Sequence, residues 1–170
     1  MAPTTLSRGR TTDAHEGGVV VFLIGMRINR WRAVRQWWPT FKAMPAMLRE
    51  LAKDPDSGMA GFRVVVGGGL REITLIQYWR DADRLLAYAS AADRHHRPAW
   101  QAFNRRARAA SAADRAPAVG IWHETFQVPA GGHESVYVGM PPFGLGQAFG
   151  TQPVGKRGDT AAQRLAGRQG

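Results

Sequence analysis

The chain has 170 residues, an apolar fraction of 44% and six tryptophans, enough for a single domain with a real core. It contains no cysteine, which excludes disulfides, thiolate metal sites and a cysteine nucleophile. The formal charge is +10, but twenty of the 23 basic residues are arginines scattered along the chain, and the densest group is only Arg105, Arg106 and Arg108. Nucleic acid is therefore not the expected partner.

Residues 1–17 are polar, rich in Thr and Gly, and net neutral. No apolar stretch follows Arg8 and Arg10 before Gly18, so a secretory signal is not expected. No segment reaches the roughly 18 apolar residues of a membrane span, and a cytoplasmic protein is the expectation. Residues 1–17 read as a disordered lead-in, 18–146 as the folded domain, and 147–170 as a flexible basic tail.

Val19 to Ile28 is a β-branched apolar run and predicts the first strand. Trp31, Val34, Trp38, Phe41, Met44, Leu48 and Leu51 then recur at three- and four-residue spacing, which predicts a helix burying that stripe in the core. Pro39 and Pro45 fall inside it and predict a kink or split. Gly61 to Val66 reads as a strand, Gly67-Gly68-Gly69 as a hairpin connection, and Glu72 to Trp79 as the next strand. Asp81 and Asp83 mark a helix start. Pro98 is expected to break that helical region, with Trp100, Phe103, Asn104 and Ala107 on a second piece. Val119 to Val128 is the fourth strand, and His133 to Met140 a short fifth strand or arm.

This order is β-α-β-β-α-β, an α+β ferredoxin-like antiparallel sheet. On the first strand Val19, Val21 and Leu23 share one side and Val20, Phe22, Ile24 and Met26 the other; on the third, Ile73, Leu75 and Trp79 oppose Ile76 and Tyr78. Both sheet faces are thus apolar, and two helices shelter one. A symmetric homodimer supplies the missing cover, giving a dimeric α+β barrel around an apolar cavity.

Several segments also carry a family resemblance. They are Val21-Phe22-Leu23-Ile24-Gly25-Met26-Arg27, Gln77-Tyr78-Trp79-Arg80, His96-Arg97-Pro98-Ala99-Trp100 with Phe103-Asn104, Gly120-Ile121-Trp122-His123-Glu124-Thr125, and Met140-Pro141-Pro142-Phe143-Gly144-Leu145-Gly146. Over residues 19–146 the chain resembles the antibiotic-biosynthesis-monooxygenase-like family of dimeric α+β barrel proteins, in a group that includes the monooxygenase of fungal fumagillin biosynthesis. The resemblance implies a dimeric barrel and oxygenase activity on small molecules. It carries over no catalytic residue.

The candidate chemistry rests on a few polar residues in apolar company. His96 stands beside His95, with Trp100 at i+4 and Asn104 at i+8. On a continuous helix the three share a face, so His96 suits a general base or an axial ligand to haem iron. Its bland alternative is a helix cap. Along the fourth strand Trp122, Glu124, Phe126 and Val128 face one way, and Val119, Ile121, His123 and Thr125 the other. His123 and Glu124 are acid–base candidates there, the carboxylate desolvated between aromatics, or else partners of a helix arginine. Trp100, Trp122, Tyr78 and Phe103 are the expected substrate walls, and Asn104 the holder of a developing oxyanion. Arg80 is expected to pair with Asp81 or Asp83. Met140 to Gly146 reads as a lid over the barrel mouth.

Metal-ligand spacings are absent, and Gly67–Gly69 joins strand to strand rather than opening a dinucleotide-binding helix. The reading is a small-molecule monooxygenase of secondary metabolism acting on an apolar substrate in the barrel cavity, without a predicted cofactor. The alternatives are a haem enzyme using His96, a non-catalytic ligand-binding module, and an RNA-binding domain of the same strand order, which needs aromatics on its central strands.

Overall fold

The computed structural model describes residue 6 and residues 9–91, 96–155 and 158–167, without the side chains of residues 96–100. In chain order the elements are β1 (Arg10–Asp13), β2 (Val19–Ile28), α1 (Val34–Lys53), β3 (Met59–Gly67), β4 (Glu72–Trp79), α2 (Ala82–Ser90), α3 (His96–Ala112), β5 (Val119–Val128), β6 (Tyr137–Val138), α4 (Leu145–Phe149), β7 (Thr151–Pro153) and α5 (Ala161–Ala166). The main sheet is antiparallel in the order β3-β4-β2-β5. The four strands and their helices form the expected ferredoxin-like α+β unit.

Alternation along the strands divides the sheet into two faces. On the helix side, Val20, Leu51, Trp79 and Leu85 form one core cluster, with Phe22, Met59, Ala82 and Tyr88 packed against it. Met26, Ile28 and Val119 form a second, with Trp37, Phe41, Met44, Ile73 and Phe103. The Trp79 indole is fully buried and donates to Gln77 Oε1 at 2.9 Å, which satisfies both polar groups. Asp81 caps α2 by accepting from the Arg84 amide at 2.8 Å, as its position predicts. Its carboxylate also meets the Arg84 guanidinium at 3.7 Å, so Arg84 takes the role expected of Arg80.

The far face carries Val21 and Leu23 of β2, Ile76 and Tyr78 of β4, Arg63 and Val65 of β3, and Trp122, Glu124 and Phe126 of β5, aligned by register. Its middle is largely apolar, with Arg63 and Glu124 among the apolar side chains, and much of it is open: Val65 is 44% exposed, Trp122 38% and Phe126 49%. One end is covered by this chain's own arm. The Arg63 guanidinium lies 3.2 Å from the centroid of the Phe143 ring. Gly61 lies so close to Ala148 that an added Cβ would stand 3.1 Å from the Ala148 Cβ.

Several expectations are corrected. Residues 10–17 are not a loose lead-in: β1 is the centre of a second sheet, ordered β6-β1-β7. The expected tail contributes α4, β7 and α5, and Thr160 and Gln163 form a reciprocal capping box at the start of α5. Arg164 reaches Glu134 at 2.7 Å, tying α5 to the 133–138 segment, and Arg10 reaches Asp159 at 2.8 Å, tying β1 to the start of α5. The fifth strand shrinks to Tyr137–Val138 and pairs with β1, outside the main sheet.

Helix α1 runs unbroken through Pro39 and Pro45. Both prolines occupy exposed positions, and the carbonyls left without an amide partner are those of Arg35 and Phe41, one turn earlier. Pro98 lies in the first turn of α3, where a missing N–H is tolerated, so the break precedes it. The apolar stripe of α1 is also only partly core: Trp37, Phe41 and Met44 pack inward, whereas Trp31, Val34 and Trp38 are exposed.

Candidate functional site

The sheet separates the predicted site residues into two groups. His123 lies on the helix side of β5, opposite Ile24, with its ring centroid 5.8 Å from that of Phe22 and tilted by 44°. It is exposed in this chain, as is Thr125 beside it. Phe103 of α3 packs on the Met26–Ile28–Val119 cluster of the same side, and Asn104 follows it, half-buried. His96 and Trp100 stand on the continuous helix α3, i and i+4, and their side chains lie outside the described residues; His95 lies outside them altogether.

Trp122, Glu124 and Tyr78 lie on the far face, separated from His123 by the sheet itself. Glu124 is exposed opposite Leu23, so this chain alone does not desolvate its carboxylate. The Trp122 indole lies over Gly25, and a Cβ there would stand 2.5 Å from Trp122 Nε1. Only glycine leaves room for the ring to lie flat on β2. Tyr78 is half-buried beneath the Phe143–Gly144 turn, where a Cβ on Gly144 would come 3.0 Å from its hydroxyl. Burial, and secondarily Tyr137, raises the Tyr78 phenol above its ordinary value of 10.0, opposed by Arg63. The segment read as a lid thus rests on the β3–β4 end of the far face. It also covers Tyr78, the one aromatic on the central strands of that face, while Trp122 and Phe126 of the edge strand stay exposed.

Two features escaped sequence reading. Arg63 was hidden in an apolar strand, and its contact with Phe143 comes from a residue 80 positions away. Asp13, in the polar lead-in, is fully buried. Its Oδ1 accepts from the His15 amide at 3.1 Å and from His133 Nε2 at 3.3 Å, and its Oδ2 from the Ser135 hydroxyl at 2.8 Å. His133 Nε2 also meets the His15 carbonyl at 3.1 Å, and two acceptors fix that nitrogen as the protonated one. The carboxylate, not the imidazole, is the centre here, so the cluster lacks the geometry of a nucleophile activated by histidine. It fastens β1 to the 133–138 segment. No group of three metal-binding side chains occurs among the described residues.

A ferredoxin-like sheet hosts many unrelated activities, so the fold by itself assigns none. Residues 19–145 match the Monooxygenase af470-like family, and the chain belongs to it. No curated protein matches. Similar solved structures include a conserved protein of unknown function from Bacteroides thetaiotaomicron, at 13% identity and a TM-score of 0.41 over 66% of this chain and 99% of that one. Another is a conserved protein from Methanosarcina mazei, at 9% identity and a TM-score of 0.43 over 64% and 91%. A third, described as a dimeric protein of unknown function with a ferredoxin-like fold, comes from Bacteroides fragilis, at 15% identity and a TM-score of 0.38 over 63% and 96%.

Proposed function

We propose that the protein is a monooxygenase for a small, apolar, electron-rich molecule of secondary metabolism, working as a homodimer. The observation that carries the reading is the His123 imidazole beside Phe22, the one histidine on the helix side of the main sheet among the described residues. The far face is assigned to dimerisation. Two facing sheets carrying Trp122, Phe126, Leu23, Val21 and Ile76 fill an eight-stranded barrel with side chains and leave the chemistry to the helix side. Trp122 and Glu124 then serve the interface, and Tyr78 the seat of the 140–146 arm, rather than the substrate.

In this reading His123 takes the proton from an activated CH2 group, and dioxygen adds to the carbanion as a hydroperoxide. Loss of water leaves a carbonyl. One oxygen atom ends in the product and the other in water, and the substrate supplies all the electrons. Phe22 and Phe103 offer apolar walls and Asn104 a hydrogen bond to the developing oxyanion, with His96 and Trp100 on the same helix completing the set.

Oxygen uptake with a panel of phenols and anthrone-like CH2 compounds tests this, with product mass read by mass spectrometry. His123→Gln is expected to lower kcat by about 100-fold or more, the usual contribution of a general base. Glu124→Gln should stay within about threefold. Full activity of His123→Gln, ligand binding without oxygen uptake, or a Soret band in the active protein overturns the assignment. Leu23→Glu should yield monomers in sedimentation velocity; an unchanged dimer removes the far face from the interface.

A further inference from the structure

The start of α1 breaks local rules in a way that the oxygenase reading does not use. Between Glu16 and Glu50 the sequence has no carboxylate, while Arg30, Arg32, Arg35 and Lys42 accumulate around the first half of α1. Arginines at a helix N-terminus oppose the macrodipole, which favours acidic residues there. The N-cap is Ala33, which makes no side-chain capping bond. Trp31, at 40% exposure, Val34, at 48%, and Trp38, at 45%, stand outward around this start. Among the described residues, no ion pair engages Arg30, Arg32, Arg35 or Lys42, and all four are exposed.

The tryptophans are held outward by the fold. The Trp37 indole donates to the Trp31 carbonyl at 3.0 Å, and the Trp31 and Trp37 rings meet edge to face at 5.8 Å. Trp38 stacks on Phe41 at 5.2 Å, and Phe41 packs inward on the core. The outer rings are therefore braced by the inner ones. Indole rings with one apolar and one hydrogen-bonding edge suit the headgroup region of a bilayer, and arginines flanking them suit anionic lipid. Among the described residues no helix is long and apolar enough to cross a membrane, and lying on one needs no such helix.

We infer that the Trp31–Trp38 region of α1 docks the protein on an anionic membrane surface. The tryptophans enter the interface and Arg30, Arg32, Arg35 and Lys42 meet lipid phosphates. The charge balance favours lipid over a protein partner, since this surface presents cations and apolar rings and lacks the acidic residues that would give mixed pairing. The inference is independent of the oxygenase reading.

Co-sedimentation of the full chain with vesicles tests it, using phosphatidylcholine alone and an equal mixture with phosphatidylglycerol. Binding to the mixture with a blue shift of tryptophan fluorescence, absent with phosphatidylcholine alone and weakened by salt, is expected. Arg32→Gln/Arg35→Gln should bind about 30-fold more weakly, from about fivefold per basic residue. Trp31→Ala/Trp38→Ala should lose about tenfold and the blue shift. Arg49→Gln/Arg80→Gln removes the same charge elsewhere and should stay within about threefold. No preference for anionic vesicles overturns the proposal, and so does an equal loss in the two arginine variants. A fall in oligomeric state of folded Trp31→Ala/Trp38→Ala in sedimentation velocity also overturns it, because the surface would then be an interface between copies.

Discussion

Asp13 offers the sharpest test of how the polar N-terminal segment is held. Its fully buried carboxylate accepts from the His15 amide, the Ser135 hydroxyl and His133 Nε2, at 3.1, 2.8 and 3.3 Å. A hydrogen bond to a charged group contributes about 1.5–3 kcal/mol, but bonds sharing one acceptor are not additive. Removing one side of a buried charged network usually costs about 3–5 kcal/mol, and that is the expected loss for Asp13→Ala. With a urea m-value of about 2 kcal/mol/M, the midpoint should fall by about 2 M at fixed protein concentration. Hydrogen exchange gives the finer readout. The amides of Thr11 and Tyr137, in the small sheet, should lose protection first, while that of Leu75, in the core of β4, should follow the global value. Asp13→Asn keeps one acceptor and sets an NH2 against a donor, so about half the loss is expected. An unmoved midpoint together with unmoved protection at Thr11 would falsify the claim that this carboxylate fastens the N-terminal strand.

Three further outcomes follow from single contacts. Because burial raises the Tyr78 phenol, its proton is held more tightly in the folded than in the unfolded chain. Its contribution to stability is complete below pH 10.0 and declines as pH rises through the folded value. Ultraviolet titration should show a late tyrosinate component that Tyr78→Phe removes, and early titration of all tyrosines refutes the burial. Gly25→Ala places a Cβ 2.5 Å from Trp122 Nε1, so the indole must lift from the sheet; about 1–3 kcal/mol of stability should go, with a change in tryptophan emission, and an unaltered spectrum contradicts the packing. Trp79→Phe strands the buried Gln77 amide and thins the core, at about 2–4 kcal/mol in chemical denaturation; a loss near zero means Gln77 has another partner.

The main sheet was readable because its information is local. Val19 to Ile28 and Val119 to Val128 are β-branched runs with apolar residues on both parities, and such runs fix strand, face and neighbour demands together. Asp81 marked the start of α2 because a cap acts on amides two or three residues away. The second sheet is another matter. Thr11 pairs with Tyr137 and Pro153, and Asp13 with His133 and Ser135, all more than 100 positions distant, and no composition rule distinguishes a polar strand so held from a loose end.

The same division governs the candidate site. That His123 and Glu124 point to opposite sides of β5 follows from the residue order alone, since strand alternation is a local fact. The apolar spacing also marked α1 as a helix, a local property that does not depend on which of its residues end up inside. Which side of the sheet lies under the helices is visible in the packed fold and nowhere earlier. Only there, too, does Phe143 reach back to Arg63, and only there do Trp31 and Trp38 remain outside while Trp37 and Phe41 go in. Burial is a property of what packs against a face, and the residues that pack are supplied by distant parts of the chain.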